Sequence, residues 1–303
     1  MTMFPIRDVS LFVKVMGEGH PLVLMHGGPG LDYTTLSSLE PLADQFTLIF
    51  YDHRANGRSS GATESMTWDN LTRDADAIRE SLGFDEWAVL GHSFGGQVAL
   101  EYALRYGERV SKLVLLDTGA DQKLSYAHAA EILRRRGFSD TAVHAVRRFF
   151  TGNLRPDEVR PTVMKFMKAY FFKFRLWDWP RAILESSHLK LRPEAVVWGF
   201  SRLVKNWSVM DRLGEIDIPT LVMAGRFDFL FPPEHQAIVA DRLYDARLEI
   251  IENAGHNPHV EQQDAVIGIL RRFLSEPGIT IRQVLDESGR VGSSAGNPLY
   301  DLV

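Results

Sequence analysis

Ser93 stands in the run Gly91-His92-Ser93-Phe94-Gly95-Gly96, directly after the apolar segment Trp87–Gly91. It precedes a stretch in which Val98, Ala99, Tyr102, Ala103 and Tyr106 share one helical face. Strand, Gly-x-Ser-x-Gly and helix together hold a serine on a sharp turn, with its hydroxyl projecting and the following amide aimed at the same place. Glycines on either side let neighbouring backbone approach where a Cβ would clash. Ser93 is therefore a candidate nucleophile. It then needs a base, and the base needs a partner that fixes its tautomer and stabilises the imidazolium formed during reaction.

Ten histidines compete for the role of base. His256, in Asn253-Ala254-Gly255-His256-Asn257-Pro258, follows the apolar run Leu248–Ile251 and precedes the final helical pattern. That places it at a strand's C-terminal end, where Ser93 also emerges. Asp228, in Gly225-Arg226-Phe227-Asp228-Phe229-Leu230-Phe231-Pro232, follows the run Thr220–Ala224 in the same way. Asp117, just after Leu113–Leu116, is the alternative acid, and an ordinary turn aspartate or loop histidine is the plain alternative for Asp228 and His256. His92 adjoins the nucleophile but should point away from it, and is read as structural. His256 and His259 have a spacing that can suit a metal, yet the carboxylate cluster of known zinc motifs does not accompany them, so no metal is expected.

A second stretch, Met25-His26-Gly27-Gly28-Pro29-Gly30, also ends a strand candidate. Acyl transfer develops negative charge on the carbonyl oxygen, and a preorganised backbone amide there contributes roughly 3–4 kcal/mol to lowering the barrier. Gly28 and Phe94 are the candidate donors; a tight Gly/Pro turn without function is the alternative. In Tyr51-Asp52-His53-Arg54-Ala55-Asn56-Gly57-Arg58-Ser59, Asp52 and Arg54 are expected to brace the loop by hydrogen bonds.

The elements that must position these residues are legible as alternation. Strand candidates are Leu11–Val15, Leu22–Met25, Thr47–Tyr51, Trp87–Gly91, Leu113–Leu116, Thr220–Ala224 and Leu248–Ile251. Leu71, Ala75, Ile78 and Leu82 recur at helical spacing between the third and fourth. Strands alternating with helices predict a mostly parallel sheet covered by helices. The chain of 303 residues, with 45% hydrophobic and 24% charged, is long enough to bury a large core. Its net charge of −5 argues against a general nucleic-acid binder, which needs a basic stripe. The absence of cysteine removes disulfides, zinc-thiolate sites, iron–sulfur clusters and a thiol nucleophile together. Neither a secretory signal at Met1–Ser10 nor a membrane span is expected, and a cytoplasmic location is the default.

From residue 121 to 211 the alternation gives way to helical pieces broken by glycine and proline. This insertion is expected to cap the strand ends: residues 1–120 and 212–275 form the core, 121–211 the cap, and 276–303 a C-terminal tail with little regular structure. The cap holds 14 of the chain's 32 aromatic residues, either around an apolar pocket or as its own packing. Its balance is +8 against −13 for the remainder, which suits docking of the two layers or attraction of an anionic substrate, with a solvated basic surface the plainer reading.

The order Ser93, Asp228, His256, each after a strand, resembles the α/β-hydrolase superfamily. HGGPG at 26–30 and YDHRANGRSS at 51–60 resemble its proline iminopeptidase (prolyl aminopeptidase) branch, with similarity over Leu11–Leu274. The resemblance implies an α/β-hydrolase fold, a Ser93-His256-Asp228 triad, an oxyanion hole from the Gly28 and Phe94 amides, and neither cofactor nor metal. It also implies a small-molecule or short-peptide substrate whose free amine is held by carboxylates. The corresponding places here read Trp198-Gly199 and Asp228-Phe229, leaving Glu185 or Glu194 for that task, and the GHSFGG elbow is more like that of general esterases and lipases. The expected activity is a serine hydrolase of amides or esters, most like an aminopeptidase. The alternatives are a carboxylesterase, lactonase or carbon–carbon bond hydrolase on the same triad, or a non-catalytic binding protein of this fold. No nucleic acid or membrane partner is expected, and the oligomeric state is not legible.

Overall fold

The computed structural model describes residues 2–122, 128–173 and 189–276. Eight strands form one sheet: β1 (Thr2–Ile6), β2 (Val9–Met16), β3 (His20–Met25), β4 (Phe46–Tyr51), β5 (Trp87–His92), β6 (Val110–Leu116), β7 (Thr220–Gly225) and β8 (Ala246–Ile251). Their order is β1-β2-β4-β3-β5-β6-β7-β8. β1 and β2 pair antiparallel, as do β2 and β4, and every other pairing is parallel.

The central strands read as continuous apolar runs because both faces of the sheet are covered. Alternate residues supply the two cores. Val23, Met25, Ile49, Tyr51, Val89, Leu113 and Leu115 join the side that carries α1 (Trp68–Ser81) and α2 (Phe94–Tyr106). Leu22, Leu24, Leu48, Phe50, Leu90, Val114 and Leu116 pack with Leu36, Leu39 and the C-terminal helix residues Val266, Leu270 and Phe273. The period of two along each strand is what divides them.

All seven expected strands form, each extended by one to three residues. β1 is an addition: its Thr2–Ile6 segment is largely exposed, carries Pro5, and lies at the sheet edge where a missing N–H is tolerated. The Leu71, Ala75, Ile78 face forms on α1, which the Thr67 hydroxyl caps by accepting from Asn70 N at 3.2 Å.

Between β6 and β7 the described elements are helical: α3 (Ala129–Arg135), α4 (Asp140–Phe150), α5 (Val159–Val163) and α6 (Pro193–Trp198), joined by short 3-10 and π turns. The insertion leaves and returns at one place, where Asp121 bridges Ser208 and Val209 N donates to Ala120 O at 2.8 Å. Phe149, Phe150, Phe166 and Phe200 are buried against one another, with Phe149 and Phe200 centroids 5.3 Å apart. These rings are therefore the insertion's own packing; Trp177 and Trp179 lie outside the described residues. After β7 come α7 (Pro233–Arg242), then β8, α8 (Pro258–Glu261) and α9 (Gln263–Ser275). Residues 277–303 of the expected tail lie outside the described residues. Among the described residues no helix is long and apolar enough to cross a membrane.

The chain order reverses at β3, which pairs with β4 on one side and β5 on the other. In parallel α/β sheets the crevice at such a switch point, beyond the strands' C-terminal ends, is where ligands bind. HGGPG follows β3 and Ser93 follows β5, so both loops open onto that crevice.

Candidate active site

The turn after β5 puts Ser93 at φ 54° and ψ −121°, a left-handed conformation that a non-glycine residue rarely adopts. Two contacts hold it there. Ser93 N donates to Leu116 O at 3.0 Å, and the Thr118 hydroxyl donates to Ser93 O at 2.6 Å. The glycines around it make close approach possible: a Cβ on Gly91 would lie 2.4 Å from Gly95 O, and one on Gly95 2.0 Å from Met25 O. Phe94 opens α2, so its N–H is among the first-turn amides that find no partner within the helix. The HGGPG loop runs alongside, where a Cβ on Gly27 would be 3.3 Å from Ser93 Cβ.

His256 Nε2 lies 3.0 Å from Ser93 Oγ, and its Nδ1 lies 2.9 Å from Asp228 Oδ2. The sequence-predicted trio thus meets in space, brought together from the ends of β5, β7 and β8. All three are buried, with Ser93 the most open at 9%. Asp228 also accepts from Leu230 N at 2.8 Å, a turn that fixes its carboxyl. Burial raises the Asp228 carboxyl, but the His256 charge and the hydrogen bonds it receives outweigh that and hold it below the ordinary carboxylate value.

The His256 loop rests on several supports. His92 Nε2 donates to His256 O at 3.0 Å, and His256 N donates to Tyr170 O at 2.8 Å. Glu261 accepts from Gly255 N at 2.7 Å and from Phe172 N at 2.8 Å, tying the His256 loop to the helical insertion. Arg136 donates to Ala169 O at 3.0 Å and to Phe171 O at 2.8 Å, which fastens the same strap from above. Burial pushes the His92 imidazole well below its ordinary value and takes His259 down to about 4, so both are neutral. His259 Nε2 donates to Thr35 O at 3.0 Å while His256 Nε2 faces Ser93, so the two rings do not converge on one ion.

Asp117, the alternative acid, is also buried here. Its Oδ1 accepts from Gly225 N at 2.8 Å, and one polar atom from each of Asp117, Asp228 and His256 lies within 4.8 Å of the others. That spacing could hold a cation, but His256 Nδ1 and Asp117 Oδ1 are already engaged by Asp228 and Gly225 N. Asp117 does not touch His256 through a hydrogen bond; Asp228 does.

Asp52 and Arg54 brace their loop as expected. Asp52 accepts from Tyr33 N at 2.9 Å and Arg58 N at 2.8 Å, and buried Arg54 forms a fork on Asp74 at 2.6 and 2.7 Å. The insertion docks on HGGPG through Arg192 N to Gly30 O at 2.8 Å. Gly199 sits flush on Pro29, where a Cβ would come within 2.1 Å of Pro29 Cγ. No side chain fits at 199 in this backbone, and Phe229 is fully buried. Glu194 is exposed on α6, and Glu185 lies outside the described residues.

Tyr170, Glu261 and Arg136 escaped the sequence reading. Only Glu261 offered a signal, as a carboxylate one turn past the candidate base; Tyr170 and Arg136 reach the site through the fold of the insertion.

Residues 20–263 match the α/β-hydrolase fold family. Proline iminopeptidase PfmaB of Pestalotiopsis fici is 29% identical over 291 residues, covering 89% of this chain and 98% of that protein. The crystal structure of a Mycobacterium smegmatis proline iminopeptidase superposes with a TM-score of 0.72 at 22% identity, over 94% of this chain and 99% of its own. An esterase from Exiguobacterium antarcticum gives 0.72 at 20% identity, over 91% and 99%. At those identities the two structures speak to fold.

Proposed function

The chain belongs to the α/β-hydrolase fold family, and we propose that it is a serine hydrolase of small-molecule or short-peptide amides and esters, most like a proline iminopeptidase. The observation that carries this reading is the line Ser93 Oγ to His256 Nε2 at 3.0 Å and His256 Nδ1 to Asp228 at 2.9 Å. His256 takes the Ser93 proton as Ser93 attacks the substrate carbonyl. The Gly28 and Phe94 amides stabilise the oxyanion, and Asp228 stabilises the imidazolium without itself taking the proton. His256 then gives its proton to the leaving amine or alcohol. Water, deprotonated by His256, releases the acyl-enzyme by the reverse sequence. Residues 121–211 act as a cap on the core of 1–120 and 212–275, bounding the acyl and leaving-group space.

A second reading, a hydrolase of esters with uncharged acyl groups, is favoured by one feature. Binding a substrate ammonium needs a carboxylate near the scissile bond, and position 199 against Pro29 admits no side chain while position 229 is a buried phenylalanine. The discriminating experiment is kcat/KM for a proline 4-nitroanilide beside a short-chain 4-nitrophenyl ester, with Ser93→Ala as control. Anilide turnover that collapses on acylating the amine supports the aminopeptidase; ester turnover alone supports the second reading.

A further inference from the structure

Asp117 follows β6 as Asp228 follows β7, and these strands are neighbours in the sheet. Two carboxyl groups distant in sequence therefore end side by side, both buried. Asp117 is held there at φ 43°, a left-handed conformation uncommon for a residue with a side chain. Its Oδ1 accepts from Gly225 N at 2.8 Å, whereas its Oδ2 is buried with no hydrogen-bond partner among the described residues. One oxygen of each carboxyl lies within 4.8 Å of the other, and like charges at that separation in a buried site strongly disfavour ionising both. A proton on Asp117 converts its orphaned acceptor into a donor. The partners decide which one carries it. Asp228 already accepts from His256 Nδ1 and Leu230 N, two donors that favour its charged form, while among the described residues Asp117 has Gly225 N alone.

We propose that Asp117 is a neutral carboxylic acid whose O–H donates to the Asp228 carboxylate, making it a positioning residue for the acid of the triad. The inference rests on the triad reading above. Burial first, and then the Asp228 charge, push the Asp117 carboxyl well above the ordinary range, in the same direction as the geometry. The other titratable groups facing the pair are His256, Glu261, Arg136, Tyr170 and His235. Glu261 reinforces the neutral state of Asp117, while His256 and Arg136 favour the charge on Asp228. The proton stays on Asp117 throughout the reaction. Its work is to give Asp228 a third donor, so that the carboxylate keeps its orientation toward His256 Nδ1 as the imidazolium forms and decays.

The test is the pH profile of ester hydrolysis by wild type, Asp117→Asn and Asp117→Ala in the full chain, with the infrared difference spectrum of wild type against Asp117→Asn. Asparagine keeps the shape and the donor, so kcat is expected within about threefold of wild type and the acid limb of kcat/KM unmoved. Alanine removes the donor: kcat is expected to fall about tenfold with KM within about twofold, and the acid limb to move up because a less satisfied Asp228 holds the imidazolium more strongly. A protonated-carboxyl C=O band at pH 7 is expected in wild type and absent from Asp117→Asn. If Asp117 were ionised, Asp117→Asn would remove a negative charge beside His256 and shift the acid limb to lower pH; that shift, or a missing infrared band, overturns the proposal. Equal profiles for the alanine and asparagine variants also overturn it. Should Asp117→Ala not fold, the asparagine profile and the band still decide. Failure of the triad reading looks different: Asp117→Asn would be inactive and Asp228→Asn active.

Discussion

His92 Nε2 lies 3.0 Å from the main-chain carbonyl of His256, so the residue before Ser93 holds the loop that carries His256. The two chain segments meet only in the folded sheet, and their contact sets the separation of Ser93 and His256 from behind. His92→Phe leaves that buried carbonyl without its donor, which costs about 1–3 kcal/mol, and lets the loop relax. The expected result is a lower Tm and a kcat reduced about tenfold with little change in KM, measured by thermal melts and steady-state kinetics. His92→Gln, which restores a donor, should recover much of both.

Glu261 joins the base's loop to the insertion through Gly255 N and Phe172 N. Glu261→Ala orphans both amides, at a cost on the order of 1–3 kcal/mol each. A Tm drop together with a fall in kcat/KM is expected, whereas Glu261→Gln keeps an acceptor for one amide and should be milder. Wild-type kinetics in the alanine variant would show that the strap does not position the base.

Of these two supports, His92 was legible as a structural residue and Glu261 was not, while the strands and the turns were legible. Val23, Ile49, Val89 and Val222 sit in runs buried on both faces of a parallel sheet, so their strands read as plain apolar segments. Ser93 was legible because Gly91 and Gly95 are required by backbone approaches under 2.5 Å, a constraint that leaves its mark in residue type. β1 was not, since an edge strand with Pro5 and an outward face carries no such pattern. The approach of Asp117 to Asp228 depends on β6 lying beside β7, a fact of topology that no local spacing encodes. The aromatics of the insertion showed in composition, but only packing distinguishes Phe149 on Phe200 from the wall of a pocket.

Gly199 lies flush against Pro29 of HGGPG. Gly199→Ala must lift α6 off that loop or displace Pro29. Because the loop also carries the Gly28 amide, KM is expected to rise several-fold and kcat to fall, read from steady-state kinetics at matched Tm. Unchanged kinetics would show that the insertion and the loop are not coupled in turnover.

His259 is buried and neutral, with its imidazole lowered from 6.5 to about 4. The unfolded chain takes up this proton below about pH 6.5 and the folded one only near 4, so the stability it supports is present above pH 6.5 and is lost as pH falls through that window. The full effect approaches about 3 kcal/mol at the acid end. His259→Gln should therefore show a Tm that falls less steeply than wild type between pH 6.5 and 4, measured by melts at constant ionic strength. Parallel curves would contradict the assignment.

Activation of Ser93 as a nucleophile by His256 is tested most directly by the intact mass, followed by peptide mapping, after treating the folded protein with an alkyl fluorophosphonate. One adduct is expected, on Ser93, absent in Ser93→Ala and strongly slowed in His256→Ala. No adduct on the folded wild-type chain, or labelling that survives Ser93→Ala unchanged, would contradict it.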